Sequence, residues 1–296
     1  MHIPVLKKEV LEYLDPKPNE NFIDCTIGQG GHTKSILEKN GPSGKVLGMD
    51  QDPRQIENCK LQIENFKERL LLVNDSYIYL KEIVKKNNFK PVHGILLDLG
   101  MSNWHLEESG RGFSFLKDEP LDMRYNIEAQ SLKRKAQNYL TAERIVNEYQ
   151  EEEIKKILEE YGEERFSERI AREIVKARKI KPIETTLQLV EIIKRAVPYR
   201  GKINPATKTF QALRIAVNDE LNNLKKVLPQ TIEVLDKEGR IAIISFHSLE
   251  DRIVKNFFKQ NNTIKILTKK PITASLEEIK LNPKSRSAKL RAAIKF

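Results

Sequence analysis

The segment Asp24-Cys25-Thr26-Ile27-Gly28-Gln29-Gly30-Gly31-His32 leads from a short apolar run, FIDCTI at 22–27, into a helix-forming stretch. Glycines at such a junction take backbone angles that other residues resist, and they let N–H groups at a helix start approach a ligand closely. Twenty-two residues after Gly28, Asp50 ends the run KVLGMD, where a carboxylate can accept hydrogen bonds from both hydroxyls of a ribose. Asp98 ends a further run, HGILLDL at 93–99, at the carboxyl edge where ligands of open α/β sheets sit. Turn and acidic strand end together read as a site for an adenosine-containing ligand. Two ligand classes fit, a dinucleotide and S-adenosylmethionine. The dinucleotide fingerprint wants a third glycine where this chain has Thr33, which favours the methyl donor.

The elements that must position these residues follow from periodicity. The runs at 22–27, 45–50, 70–73 and 93–99 are separated by helix-length segments, the pattern of buried parallel strands in an α/β sheet. Of 13 glycines, only Gly162 lies between Phe113 and Arg200, and over 130–198 the apolar period becomes helical. Ile154, Ile157, Leu158 and Tyr161 share a face before Gly162, expected to stop that helix, and Thr185 and Gln188 have capping-box spacing. RIAIISF at 240–246 resumes the buried-strand pattern. The expected architecture is a discontinuous α/β domain, 1–114 with 201–296, interrupted by an all-helical domain at 115–200.

Composition bounds the function classes. At 296 residues the chain can bury a large core without staples, and its 39% hydrophobic and 32% charged residues are those of a globular protein. Cys25 and Cys59 form no CxxC pair, which argues against a disulfide framework and a cysteine zinc site and for a reducing, cytoplasmic setting. No apolar run approaches the roughly 18 residues of a membrane span, and the start lacks the order of a signal peptide. No His, Cys or carboxylate spacing suggests a metal site, and His2 and His93 suggest only local packing.

The stretches HIPVLKKEVLEYL, FIDCTIGQGGHT, GMDQDP, GILLDLGMS, RGFSFLKDEPLDMR, NPATKTFQALRIAVNDEL, ISFHSLEDRIVK and NPKSRSAKLR, in this order, resemble the RsmH (MraW) family of S-adenosylmethionine-dependent methyltransferases nearly end to end. The resemblance implies a class I, Rossmann-like methyltransferase sheet with an inserted helical domain. It implies 16S ribosomal RNA in the small subunit as partner, and methylation of the exocyclic N4 amine of a cytidine in the decoding centre, near the P site. The family's cofactor positions fall on Gly30, Gly31, His32, Asp50, Tyr77, Asp98 and His105. Tyr77 stands where phenylalanine is common and keeps an aromatic face for the adenine. His105 replaces a usual glutamine, and SNWHLE at 102–107 departs from the commoner SSxQLD.

A cytosine amine is a poor nucleophile because its lone pair is delocalised into the ring, so transfer needs alignment and acceptors for the amine hydrogens. Asp98, Ser102 and Asn103 follow the fourth strand, and Ser245, His247 and Ser248 follow the fifth. His247 is a candidate proton acceptor near neutral pH, against the alternative of a structural histidine bonded to a neighbouring loop. DLGMSNW lacks the Asp/Asn-Pro-Pro-aromatic motif of many amino-methyltransferases, so the catalytic group is not assigned by analogy. Carbon-five chemistry would use a cysteine, and neither Cys25 nor Cys59 lies at a later strand end. A dinucleotide-dependent oxidoreductase and a non-catalytic RNA-binding assembly factor are the competing functions.

Candidate RNA contacts are spread along the chain. In RGFSFLKDEPLDMR, Arg111 and Arg124 could hold phosphates while Phe113 and Phe115 stack on bases, or the phenylalanines could pack at the junction with the insertion. Lys208 and Arg214 lie on a helix expected to start at Asn204 or Thr207 and to bury Phe210, Leu213 and Val217. The glutamates of EEEIKKILEE fit a solvated face, and the inserted helices could dock substrate or form a homodimer. The net charge of +10 is localised: residues 252–296 carry 12 basic and 2 acidic groups, so the last 45 residues account for all of it. Lys284, Arg286, Lys289 and Arg291 are therefore expected to grip RNA phosphates.

Overall fold

Ile23, Leu47, Ile95, Leu97, Ile241 and Ile243 bury one face of a sheet, while their strand neighbours Phe22, Val46, Leu96, Ala242 and Ile244 bury the other. Both faces being apolar is what turns these strands into continuous hydrophobic runs rather than alternating ones. The strands are β1 (Phe22–Asp24), β2 (Val46–Asp50), β3 (Leu70–Asn74), β4 (Gly94–Asp98), β5 (Arg240–Ser245), β6 (Ile264–Ile266) and β7 (Lys289–Lys295). They lie in the order β3-β2-β1-β4-β5-β7-β6, and β7 runs antiparallel to both of its neighbours. This is the α/β, class I methyltransferase sheet that the resemblance implied.

The computed structural model describes residues 4–126, 140–198 and 204–296. They divide into two units, Met1–Gly100 with Leu221–Phe296, and Met101–Glu220. The first holds the sheet with α1 (Lys7–Leu14), α2 (Gly31–Lys39), α3 (Pro53–Gln62) and α4 (Leu80–Lys86). The second holds α5 (Asn103–Glu107), α6 (Ala142–Glu148), α7 (Glu151–Gly162), α8 (Ser167–Arg178), α9 (Thr186–Ala196) and α10 (Ala206–Asn218). From Glu220 the chain continues through α11 (Glu220–Val234), α12 (Ser248–Gln260) and α13 (Leu276–Leu281).

The second unit begins earlier and ends later than the 115–200 expected from glycine usage. Phe113, Phe210, Leu213 and Val217 fill the same core as Ile154, Leu158 and Ile170, which draws the 101–114 loop and α10 into that unit. The expected limit at 200–201 lies outside the described residues, as does His2.

Two local expectations change, and two strands emerge that the sequence did not show. The strand at 70–73 was expected to be buried, but β3 pairs only with β2 and is half-exposed, with Leu71 37% accessible. Gly162 does not terminate α7 through a left-handed residue of its own; Glu163 takes that conformation at φ 46°. Gly162 is needed for close approach, since a Cβ there would stand 2.8 Å from the Lys208 carbonyl oxygen on α10. The strands β6 and β7 carry lysines and an arginine along their length, which hid them as strands. The Thr185–Gln188 capping box forms as the spacing predicts. Among the described residues no helix is long and apolar enough to cross a membrane.

Candidate functional site

β1 ends at Asp24 and the chain turns through Gly28 (φ +49°) and Gly30 (φ +81°) into α2. Gly30 is the N-cap of α2 and no side chain caps that end, so the first N–H groups of the helix face outward as a ready anion or carboxylate site. A side chain at Gly30 would collide with Ile63 Cδ1 at 2.2 Å and Cys59 Sγ at 2.8 Å, so the turn is pressed against α3 and the segment after it. Across the turn, the Gly28 N–H donates to Asp50 Oδ2 at 3.2 Å and the Asp52 N–H donates to Asp50 Oδ1 at 2.9 Å. Each carboxylate oxygen thus spends one lone pair on backbone and keeps another for a ligand. Burial pushes the Asp50 carboxyl up to about 7, against the lowering effect of the Asp52 and Gly28 N–H groups.

Thr33, standing where a dinucleotide turn carries its third glycine, is fully buried and donates its hydroxyl to Asp24 Oδ2 at 2.7 Å. Asp24 is itself buried, and the loss of solvent raises its carboxyl pKa even though the Thr33 hydroxyl opposes the shift. At the end of β4, the Asp98 N–H donates to Thr26 Oγ1 at 2.7 Å, which fixes the acid beside the turn. Asp98 Oδ2 lies 3.6 Å from His32 Nε2, beyond hydrogen-bond reach. Asp98 Oδ1 and His32 Nε2 are both buried with no hydrogen-bond partner among the described residues. Polar atoms left in that state are costly unless something outside the chain satisfies them.

Gln55, on the first turn of α3, joins this group and was not singled out from sequence. It is fully buried, and neither Oε1 nor Nε2 has a partner among the described residues. Its one available signal was position: Gln55 precedes the buried Cys59 by four residues, so a polar side chain sits on the buried face of α3. Tyr77 follows β3 in a short 3₁₀ turn capped by Ser76, and its ring packs half-buried against the core that Val73 and Leu80 border. Cys25 and Cys59 are buried free thiols; burial raises Cys25 well above the ordinary range and Cys59 to about 12. Neither is a ready nucleophile.

The second unit holds Ser102, Asn103 and His105 at the start of α5. Ser102 is the N-cap, its hydroxyl accepting the His105 N–H at 3.4 Å and lying 2.9 Å from His105 Nδ1. Asn103 is the first residue of the helix. His105 is buried among Trp104, Phe113 and Tyr125, edge-on to each at about 5 Å between ring centres.

Three of the arginines placed on RNA by sequence, Arg111, Arg124 and Arg214, are held by groups of the fold itself. Arg111 is buried, donates to the Tyr125 carbonyl at 2.6 Å and the Arg124 carbonyl at 3.3 Å, and lies over the Trp104 ring. Arg124 forms a two-pronged pair with Asp122, at 2.8 and 2.6 Å. Arg214 is held the same way by Glu220 at 2.9 and 3.0 Å, both side chains being about 10% accessible. Phe113 stacks on Tyr125 and Phe115 meets Phe210 edge-on, so both phenylalanines serve the core of the second unit rather than a base. Lys208 is exposed and donates to the Glu163 carbonyl at 2.7 Å, closing the C-terminus of α7.

His247 caps α12, which fits the structural reading that stood beside its reading as a proton acceptor. Its Nδ1 accepts the Glu250 N–H at 3.4 Å while Glu250 Oε2 accepts the Phe246 N–H at 2.8 Å and the His247 N–H at 3.3 Å. With Nδ1 an acceptor, the neutral ring carries its proton on Nε2, which lies 3.3 Å from Glu250 Oε1. No ring lone pair is left for a substrate proton. In the basic C-terminal segment, Arg291 is buried in β7 and paired with Asp251 at 2.6 and 3.2 Å. Lys289 is half-buried 4.0 Å from the same carboxylate, and Lys284 and Arg286 are exposed on the turn before β7.

Comparison with known proteins bears on what this geometry serves. A family model described as the MraW methylase family matches residues 1–296. A curated relative from Heliobacterium mobile, named "Ribosomal RNA small subunit methyltransferase H", is 45% identical over all of this chain and 99% of its own length. A relative of the same name from Thermosipho melanesiensis is 47% identical over 99% of this chain and 97% of its own. Among solved structures, a putative rRNA-methylase from Clostridium thermocellum superposes over the full length of both chains with a TM-score of 0.46 and 13% identity.

Proposed function

The chain belongs to the MraW methylase family, and from that membership we propose that it transfers a methyl group from S-adenosylmethionine to the N4 amine of a cytidine in the decoding centre of 16S ribosomal RNA. The observation that carries the cofactor half is the pairing of an uncapped α2 N-terminus with a β2 carboxylate tied to the same turn. The curated relatives' shared name supports small-subunit ribosomal RNA as the substrate class. The choice of N4 and of the decoding centre follows the family resemblance of the eight sequence stretches.

The bound cofactor supplies an electrophilic methyl on a sulfonium centre. Gly30, Gly31 and His32 offer the first N–H groups of α2 to its carboxylate, and the free lone pairs of Asp50 accept the two ribose hydroxyls. Tyr77 presents a ring for the adenine. Asp98 Oδ1, buried with no partner among the described residues, accepts an N–H of the cytidine amine and turns its lone pair toward the methyl. Transfer would break the methyl–sulfur bond and leave the thioether S-adenosylhomocysteine; the methylated amine nitrogen would be strongly acidic, and its proton would pass to Asp98 Oδ1, which already accepts that N–H, with no stronger base needed. That suits a His247 ring whose Nδ1 lone pair accepts the Glu250 N–H at the α12 cap. Thr33 bonded to Asp24 fills the space a pyrophosphate turn leaves open, which weighs against the oxidoreductase alternative.

Labelled S-adenosylmethionine and small subunits from cells lacking the corresponding gene test the reading. Label is expected in N4-methylcytidine alone; label in another nucleoside overturns the substrate assignment, and no transfer under any condition returns the chain to an RNA-binding assembly factor.

A further inference from the structure

Gln55 has the hydrogen-bonding capacity of a ligand contact and the burial of a core residue. Its side chain is 0% accessible, yet its carboxamide has neither donor nor acceptor satisfied among the described residues. A glutamine at this position of a helix ordinarily reaches back to the N–H of the capping residue. Here that N–H belongs to Asp52 and is already donated to Asp50 Oδ1, so the local outlet is closed. The carboxamide points instead at the turn: Gln55 Oε1 lies 3.9 Å from where a Cβ on Gly28 would stand. Gly28 is the residue whose N–H donates to Asp50, so Gln55 and Asp50 both lie beside one glycine. A carboxylate supplies only acceptors, whereas a ribose diol also has oxygens that accept. A carboxamide beside that carboxylate adds the missing donor.

We infer that Gln55 is a cofactor-binding residue whose carboxamide hydrogen-bonds the ribose of the nucleoside held by Asp50; the inference rests on the methyl-donor reading above. Nε2 donates to a ribose oxygen and Oε1 takes a hydroxyl proton, and both otherwise unpaired atoms are satisfied only when the nucleoside is bound. The opposite signs of two effects set this apart from a packing role. Replacing Gln55 by an apolar side chain of similar size removes an unpaired buried amide from the ligand-free protein and removes a contact from the complex.

Calorimetric titration of S-adenosylhomocysteine into the full chain, with thermal melting of the ligand-free protein, tests it with Q55L and the more flexible Q55M. The expected result is affinity weakened tenfold or more in both variants, with ligand-free melting temperatures unchanged or raised. Wild-type affinity in either folded variant overturns the inference, and so does weakened affinity that tracks a lowered ligand-free melting temperature in both. A 2′,3′-dideoxyribose analogue is expected to bind wild type and Q55L alike; a persisting difference overturns the ribose assignment. Should wild type bind a nicotinamide dinucleotide and not S-adenosylhomocysteine, the methyl-donor reading fails by itself, and the same variants titrated with the dinucleotide decide Gln55.

Discussion

Gly28 donates its backbone N–H to Asp50 Oδ2 across 3.2 Å, so the glycine that opens the turn and the carboxylate that closes β2 hold each other in place. The register of β1 on β2 prepares this meeting: Asp24, the last residue of β1, lies opposite Gly48, and β2 runs on past that pair to Asp50, level with the turn that follows β1. A ligand engaging the helix start at Gly30 therefore meets an acceptor whose orientation is already set.

Asp50→Ala removes both ribose acceptors without cutting into the apolar core. Hydrogen bonds to a charged group contribute about 1.5–3 kcal/mol each, and part of one is recovered by water, so a loss of about 2–3 kcal/mol, or roughly 30- to 150-fold in cofactor affinity, is expected. Melting of the ligand-free variant should stay cooperative. Calorimetric titration with S-adenosylhomocysteine checks the affinity, and an unchanged value would mean the ribose contact is elsewhere.

The raised Asp50 pKa makes that affinity depend on pH. Ribose hydroxyls donate to an ionised carboxylate, and in the ligand-free protein burial holds Asp50 protonated below about 7. Binding then requires proton release, so affinity should fall toward tenfold for each pH unit below about 7 and level off above it. In the unliganded protein the sign is reversed. The folded state holds this proton more tightly than the unfolded chain, so the Asp50 contribution to stability declines as pH rises from the ordinary 3.8 through about 7. Titrations between pH 5.5 and 8, in buffers of different ionisation enthalpy, should show proton release that disappears in Asp50→Asn.

How much of this could be read from the chain depended on whether a residue's surroundings lie nearby in sequence. Gly28, Asp50 and Asp98 were legible because strand ends recur at fixed offsets from apolar runs. The Thr185 cap was legible because its partner is three residues away. The fates of Arg214 and Arg291 were not, because a guanidinium looks the same in sequence whether solvent or a carboxylate faces it. Asp251, which holds Arg291, lies forty residues upstream on α12 and meets it only because β7 pairs with β5. Gln55 was hidden for the opposite reason, since an ordinary helix residue gives no sign that its outlet to the Asp52 N–H is taken.

Gly30→Ala should unfold the protein more readily rather than only weaken binding. At φ +81° an L side chain costs about 1–2 kcal/mol, and its Cβ would overlap Ile63 and Cys59, adding about 1–3 kcal/mol of overpacking. A destabilisation of about 2–4 kcal/mol should appear as a lowered urea midpoint at unchanged slope. A wild-type midpoint would show that the turn and α3 separate easily.

The basic C-terminal segment should divide into two behaviours. Lys284 and Arg286 are exposed, and neutralising both should lower the slope of log affinity for single-stranded RNA against log salt by about 1.4 while leaving cofactor affinity intact. Arg291→Ala instead strands the half-buried Asp251 carboxylate and should cost about 3–5 kcal/mol of stability. Filter binding from 50 to 300 mM salt, alongside urea melts, separates them. An Arg291→Ala protein of wild-type stability with a reduced salt slope would restore the phosphate contact expected from sequence.

His247 offers the sharpest division between a structural and a chemical role. Its Nδ1 holds the Glu250 N–H and its Nε2 carries the ring proton beside the Glu250 carboxylate, so the neutral side chain has no lone pair to offer. Asn at an N-cap also accepts from the helix start, so His247→Asn should keep both fold and methyl transfer to within a few-fold. His247→Ala should lose about 1 kcal/mol of stability through the missing cap. A general base would behave otherwise, with both variants slower by 10²- to 10⁴-fold and the acid limb of the rate profile gone. Single-turnover transfer to small subunits, measured from pH 6 to 9, distinguishes the two. Retention of rate and profile in His247→Asn assigns the histidine to the α12 cap, while their loss in a stably folded variant returns the proton to His247.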